Sequence, residues 1–310
     1  MLLNQLFSSA KPIEIKQLSS DSRVKTTQSL FFCTFGLVHD SHEFADQAID
    51  NGAVAVVHQR ELSHYQEGIE YIKVDNVHET LIETVNRFYD DPSAKMTVIG
   101  VTGTNGKSTI SLSIKHVLNQ FVKTGYIGTI SIEYGNVKLP PMLTTPDIIP
   151  MVKTLGDMVD VETKAVVIEA SSHGLAMDRV KGIHFDQAVF TNLTHDHLDY
   201  HGTMENYYLA KKKLFDGLDE AGIAIINIDD DYGARLSKEH SGNQVTYAIN
   251  SKATYQAKDI QLGKFQSNYT LVYDNQEYLI ETDLVARFNI YNSLAIIASL
   301  HEAGWSDGVY

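Results

Sequence analysis

Short apolar runs rich in Val and Phe lie at Ser29 to Phe35 and Ala53 to His58, with a helix-like stretch, His42 to Asn51, between them. Two strands joined by a helix predict a β-α-β unit. A helical pattern from Val77 to Tyr89 then stops at Asp90-Asp91-Pro92-Ser93, where proline and acidic residues break any regular element. The expected division is a first domain over 1–90 and a second over 95–310. In the second, strand-like runs (Thr97 to Val101, Ala165 to Ala170, Gln187 to Asn192, Ile223 to Ile228) alternate with helix-like runs. That alternation predicts a doubly wound, mostly parallel α/β sheet with crossover helices. Further on, Tyr255 to Gly263, Asn268 to Tyr273 and Glu277 to Leu284 alternate polar and apolar residues around the turn Asp274-Asn275-Gln276, predicting a small antiparallel appendix. An apolar-striped helix over Phe288 to Ala303, ended by Gly304, closes the pattern.

Composition narrows the partners. At 310 residues, 43% of them hydrophobic, the chain can build two ordinary cores. With 39 acidic against 25 basic residues its formal net charge is -14, which repels nucleic acid unless a local basic patch intervenes. The lone Cys33, in an apolar strand, can form no internal disulfide and reads as a buried thiol. The N-terminus lacks a basic leader, and nowhere do about 18 apolar residues run together. A cytoplasmic chain with no membrane insertion is expected.

The strongest chemical signal is Thr97 to Thr109, a buried strand, a glycine turn and a helix start. Gly103, Thr104, Asn105, Gly106, Lys107, Ser108 and Thr109 form the turn and the first helical residues. Such a turn aims backbone N–H groups at a phosphate, with the lysine on the outer phosphates and a hydroxyl on Mg²⁺. Val101 departs from the common pattern, which has glycine there. A plain turn containing Gly-Lys is the bland alternative, and a small-molecule kinase fits the loop too; no N-K-x-D guanine motif supports a GTPase.

Glu169 ends the otherwise apolar strand Ala165 to Ala170, at the sheet edge where open α/β folds place their ligand crevice. A carboxylate there calls for a cation, unless the strand end simply meets solvent. The next strand ends in a loop crowded with His195, Asp196, His197, Asp199 and His201, which suits Mg²⁺ with one imidazole and matches no zinc spacing. On the following helix, Glu205 to Leu218, at least two of Lys211, Lys212 and Lys213 read as a solvated face.

Taken in order, these motifs resemble the Mur ligases, and within them the UDP-N-acetylmuramoyl-tripeptide synthetases. Asp21-Ser22-Arg23, Leu30-Phe31-Phe32 and Gly36 with Asp40, Ser41, His42 and Phe44 resemble the family's UDP-binding front domain. Gly103 to Thr109 is similar to its ATP loop; Thr144-Thr145-Pro146, Glu169 to Leu175 and Arg179 resemble its muropeptide and magnesium segments. Phe190 to Leu193, Asp196 to Asp199 and Tyr208 to Lys211 match the block whose lysine is carbamylated, and Phe288-Asn289 with Asn292 look like its adenine-side asparagines. Met177 and Ala286 depart from the family pattern, the latter replacing a frequent glycine.

The resemblance implies an ATP- and Mg²⁺-dependent ligase joining a diamino acid, L-lysine or meso-diaminopimelate, to UDP-MurNAc-L-Ala-D-Glu through an acyl phosphate, for peptidoglycan precursors. It implies catalytic roles for Lys107, Glu169, His197 and Lys211, and metal contacts from Ser108, Glu169, His197 and carbamylated Lys211. ATP contacts fall to Gly103 through Thr109 with Asn289 and Asn292, and substrate contacts to Ser22, His39, Thr144, Thr145, Ser171 and Arg179. It further implies that the family's C-terminal domain lies beyond these 310 residues. A folylpolyglutamate synthase or a non-catalytic nucleotide-binding homologue are the alternatives.

Overall fold

Leu30, Phe31 and Phe32 on one short strand, and Ala55, Val56 and Val57 on the next, are all buried in the computed structural model. The residues described are 1–36 and 39–305; positions 37–38 beside His39 and 306–310 at the tail of the expected second domain lie outside them. Alternate side chains of these strands feed two cores. Leu30, Phe32, Ala55 and Val57 join one cluster, while Phe31, Cys33 and Val56 join another with Ala45 and Ala48. A strand covered on both faces has no polar side to show, which is why the sequence runs apolar.

This first sheet has four parallel strands in the order β1 (Gln17–Ser19), β2 (Ser29–Phe32), β3 (Ala53–His58) and β4 (Glu70–Lys73). Its helices are α1 (Leu3–Leu6), α2 (Ala45–Asp50) and α3 (Val77–Phe88). The helix expected from His42 is shorter: a 3₁₀ turn, Ser41–Phe44, comes first, started by Asp40 accepting from His42 N at 3.0 Å. Asn76 caps α3 by accepting from His78 N and Glu79 N. Burial pushes the Cys33 thiol up to about 12, so it stays protonated and inert.

The chain forms two compact units, Met1–Pro92 with Ile148–Gly156, and Ser93–Asp147 with Asp157–Tyr310. The second holds an eleven-stranded sheet built from β5 (Thr97–Thr102), β6 (Thr124–Ile127), β7 (Ile132–Tyr134), β8 (Val137–Leu139), β9 (Ala165–Glu169), β10 (Gln187–Phe190), β11 (Ile223–Asn227), β12 (Asn243–Ala248), β13 (Tyr255–Leu262), β14 (Ser267–Tyr273) and β15 (Gln276–Thr282). The order is β15-β14-β13-β12-β11-β10-β5-β9-β6-β7-β8, parallel from β13 to β6 and antiparallel at both edges. The antiparallel appendix is thus no separate layer. β13 pairs in parallel with β12 and carries β14 and β15 as an extension of the main sheet. Asp274 (φ 49°) and Asn275 (φ 60°) make the tight turn between β14 and β15, a left-handed pair that Asp and Asn tolerate.

The helices are α4 (Lys107–Leu118), α5 (Ile148–Asp160), α6 (Ser172–Ala176), α7 (Leu198–His201), α8 (Met204–Asp216), α9 (Asp231–Glu239) and α10 (Arg287–Glu302). Ile99 and Val101 of β5 pack with Ile110 and Ile114 of α4 and with Leu294 and Ala298 of α10. On the other face Gly100 lies under Phe185 and Leu214, where a Cβ would come within 3.0 Å of both. Gly304 (φ 78°) ends α10: Trp305 N donates to Leu300 O and Gly304 N to His301 O. None of the helices among the described residues is long and apolar enough to cross a membrane.

Candidate functional site

β5 is the switch strand. After it the chain builds β6 and β9 on one side, then β10 onward on the other. Register sets Val101 opposite Glu169 and Thr102 opposite Phe190. The segments leaving β5, β9 and β10 therefore emerge at one sheet edge, the usual ligand crevice of an open α/β sheet.

The phosphate loop leaves β5. Gly103 (φ 149°) sits so close to Thr191 that a Cβ would overlap the threonine hydroxyl, and Gly106 (φ 90°) caps α4 facing Asn292 Oδ1. The segment that follows β10 holds the loop in place: Thr104 N donates to Asn192 O at 2.8 Å and Asn105 N to Asn192 Oδ1 at 3.0 Å. Thr104 Oγ1 accepts from Thr194 N at 3.0 Å and lies 3.1 Å from Tyr207 Oη. Lys107 Nζ donates to Gly103 O at 2.9 Å and Thr104 O at 3.0 Å. Lys211 Nζ, from α8, donates to the same Gly103 O at 2.9 Å and lies 4.7 Å over the Tyr207 ring. Burial lowers the pKa of Lys107, partly countered by Glu169 and Asp196. Lys211 is 1% exposed, and its desolvation, reinforced by the Lys107 charge, drives its pKa well down.

Glu169 has no exposed surface. Its Oε1 accepts from Tyr126 Oη and, at 3.4 Å, from Thr129 N; its Oε2 accepts from Thr129 Oγ1 at 2.9 Å and Ser108 Oγ at 3.1 Å. Hydroxyls, rather than a Lys or Arg, meet this buried carboxylate. The donor set fits Mg²⁺, which takes one or two carboxylates and a loop hydroxyl and completes its shell with phosphates and water. Among the described residues no three His, Cys, Asp or Glu side chains form a metal cage. His197 (φ 51°) is half-exposed and groups with His173 at 5.1 Å and Tyr207 at 6.1 Å between ring centroids. His201 is buried, its Nε2 3.0 Å from Ser172 Oγ and its ring stacked on Tyr207. Burial first, then neighbouring charges, lowers the pKa of both His173 and His201.

The segment Thr144 to Arg179 braces the same strand end. Thr144 Oγ1 lies 3.1 Å from Thr129 Oγ1. Thr145, fully buried, donates to Glu169 O at 2.8 Å and accepts from Ser171 N at 2.9 Å. Ser171 Oγ caps α6 through Gly174 N. Arg179 pairs with Asp147 at 2.7 Å and donates to Thr145 O and to Met177 Sδ, so Met177 supplies an acceptor in place of a polar side chain.

A cleft of about 660 Å³ opens beside the loop. Asn105, Gly106, Thr109 and Asn292 line it. Asn289 instead donates to Val285 O and accepts from Asn292 Nδ2 at 2.8 Å. Ala286, just before α10, has φ 77° and ψ 150°, a region nearly reserved for glycine that costs an alanine about 1–3 kcal/mol. Of the rest of the cleft wall, Thr191, Asn192, Thr194 and Phe288 fall in the motifs and the histidine loop already named, whereas Asn227, Asp229, Asp230, Tyr247 and Tyr291 escaped the sequence reading. An acid pair at the end of an apolar strand, Asn227-Ile228-Asp229-Asp230, was the available signal. Asp229 accepts from Ile249 N, Asn250 N, Ser251 N and Tyr291 Oη. Burial pushes its carboxyl up, but those donors outweigh it and hold the pKa down.

In the first unit, Ser22 is buried and donates to Gln47 Oε1 at 2.7 Å. His39 is exposed, edge-on to Phe44 at 6.2 Å.

The Mur ligase middle domain matches residues 101–300. UDP-N-acetylmuramoyl-L-alanyl-D-glutamate–2,6-diaminopimelate ligases are similar to the chain: the one from Chlamydia pneumoniae is 37% identical over 300 residues, 96% of this chain and 61% of its own. The one from Geobacillus thermodenitrificans is 39% identical over 300 residues, 94% of this chain and 61% of its own. A solved structure of a ligase with that name has a TM-score of 0.81 and 28% identity, covering 98% of this chain and 64% of that one. The chain therefore spans about three-fifths of these relatives' length. With a matched region running from the phosphate loop through most of α10, the chain belongs to the Mur ligase family.

Proposed function

We propose that this chain is the nucleotide- and UDP-muropeptide-holding part of a cytoplasmic, ADP-forming ligase that adds a diamino acid, L-lysine or meso-diaminopimelate, to UDP-MurNAc-L-Ala-D-Glu. In this reading residues 1–90 hold the uridine end through Ser22 and His39, and residues 95–310 hold ATP. The observation that carries it is Glu169, buried with no Lys or Arg in hydrogen-bond contact and hydrogen-bonded to Ser108 on the phosphate-loop helix. Relatives named for this ligation support the choice of substrate.

A carboxylate resists amines because its leaving group is poor. Bound ATP supplies the phosphoryl group that turns the γ-carboxylate of D-Glu into an acyl phosphate, which the incoming amine displaces as inorganic phosphate while losing a proton. Mg²⁺ on Ser108 and Glu169 would screen the phosphoryl charge. Lys107 reaches that charge from the loop, and the Gly103 to Ser108 backbone orients it. Thr144, Thr145, Ser171 and Arg179 hold the muropeptide near Glu169, and Asn292, oriented by Asn289, faces the adenine.

Calorimetric titration of the full chain tests the substrate class. UDP-MurNAc-L-Ala-D-Glu binds and UDP competes with it, whereas dihydrofolate gives no heat. Binding of dihydrofolate but not of the muropeptide would move the chain to the folylpolyglutamate synthases.

Lys211 has a further part in this reading. Burial drives its pKa well down, and in the neutral form its amine can attack CO₂ and release a proton, giving a carbamate that serves as an anionic cation ligand beside Gly103. After incubation with ¹³C-bicarbonate the chain shows a carbamate carbonyl resonance that is missing from Lys211→Ala. A wild-type spectrum without that resonance rules the modification out.

A further inference from the structure

Glu169 offers two oxygens, and the fold treats them differently. Oε1 points at Tyr126 Oη, with Thr129 N at 3.4 Å, while Oε2 meets two hydroxyls, Ser108 Oγ and Thr129 Oγ1. Tyr126 lies on β6, next to β9, with Tyr126 opposite Val167 and Ile127 opposite Ile168, and its side chain has no exposed surface. Its phenol is fixed by the sheet and cannot swing away. The Ser108 and Thr129 hydroxyls are rotors, able to turn their hydrogens aside and offer lone pairs. Gly128 keeps the gap between them clear: a Cβ there would overlap both Glu169 Oε1 and Tyr126 Oη.

We infer that Tyr126 is a positioning residue that clamps Glu169 Oε1 and thereby commits Oε2, the oxygen beside Ser108, to the divalent cation that accompanies the nucleotide. The inference rests on the Mg-nucleotide reading above. The terminal torsion of a glutamate is broad, so a carboxylate held by rotors alone would present either oxygen at varied angles. A clamp on one oxygen removes that freedom before the cation arrives. Partners that orient a ligand in this way commonly govern metal affinity about 10- to 100-fold.

The test titrates the full chain with ADP in Mg²⁺ and again in EDTA, for wild type and Tyr126→Phe. The phenylalanine keeps the ring that fills the buried site, so the variant stays folded, which its Tm checks. Tyr126→Phe needs about tenfold more Mg²⁺ to reach the wild-type ADP affinity, and its affinity in EDTA is unchanged. In a Glu169→Gln background the same change has no further effect on the Mg²⁺ dependence. An unaltered Mg²⁺ dependence in Tyr126→Phe, an equal loss in EDTA, or additive losses in the double variant would overturn the inference while leaving the nucleotide reading intact. A wild-type chain that fails to bind ADP, or binds it identically with and without Mg²⁺, would overturn the reading and the inference together.

Discussion

Lys107→Ala leaves the chain folded and lowers its affinity for ADP by about a hundredfold, the loss of one or two charge-assisted hydrogen bonds worth roughly 1.5–3 kcal/mol each. The ammonium has little to do with stability. It is largely desolvated, has no carboxylate in hydrogen-bond contact, and shares the Gly103 carbonyl with a second buried lysine, Lys211. Its desolvation is only partly countered by Glu169 and Asp196, so its removal costs little and the variant's Tm stays close to wild type. Calorimetry of ADP binding beside a thermal melt reads both effects. Wild-type ADP affinity in a folded Lys107→Ala variant would remove the loop from the nucleotide site.

Gly103→Ala fails differently. Its φ of 149° and the Thr191 hydroxyl standing where a Cβ would go leave a side chain no room. Thr191 cannot retreat cheaply, because that hydroxyl donates to Asn105 O at 2.5 Å and so shapes the next residues of the loop. Stability falls by roughly 2–4 kcal/mol, from backbone strain together with overpacking, and ADP binding is lost with it. Denaturant unfolding of Gly103→Ala and Lys107→Ala side by side separates the two roles. A Gly103→Ala chain of wild-type stability that still binds ADP would mean the loop is far more pliable than its packing implies.

The sheet was legible where the signal is local. Apolar runs such as Thr97 to Val101 and Ala165 to Ala170 form strands because both faces are covered, and the Gly-Lys turn follows one of them. Glu169 could be singled out as an acid ending an apolar strand. Tyr126 and Thr129 could not, since they reach Glu169 through strand pairing across 40 or more residues of chain. The short strands β6, β7 and β8 of the far edge carry too few residues to establish a period. Asp229 and Tyr291 come together across 62 residues to shape the cleft wall. The antiparallel tail was readable as alternation, but its junction with β12 is a property of the whole sheet. Ala286 shows the converse case: the place of a missing glycine was visible in the sequence, and its positive φ gives the reason.

Ile148 and Val152 are buried in the same core as Leu30, Val57 and Leu81, although more than fifty residues, including the phosphate loop, separate them from the end of α3. A ribosome adding about 5–20 residues per second must make that whole stretch before the first core can close. The leading segment therefore waits several seconds with an apolar face open, and it is then that a chaperone has most reason to engage it. A fragment cut at residue 90 would remain in that waiting state, so the uridine end should be studied in the full chain.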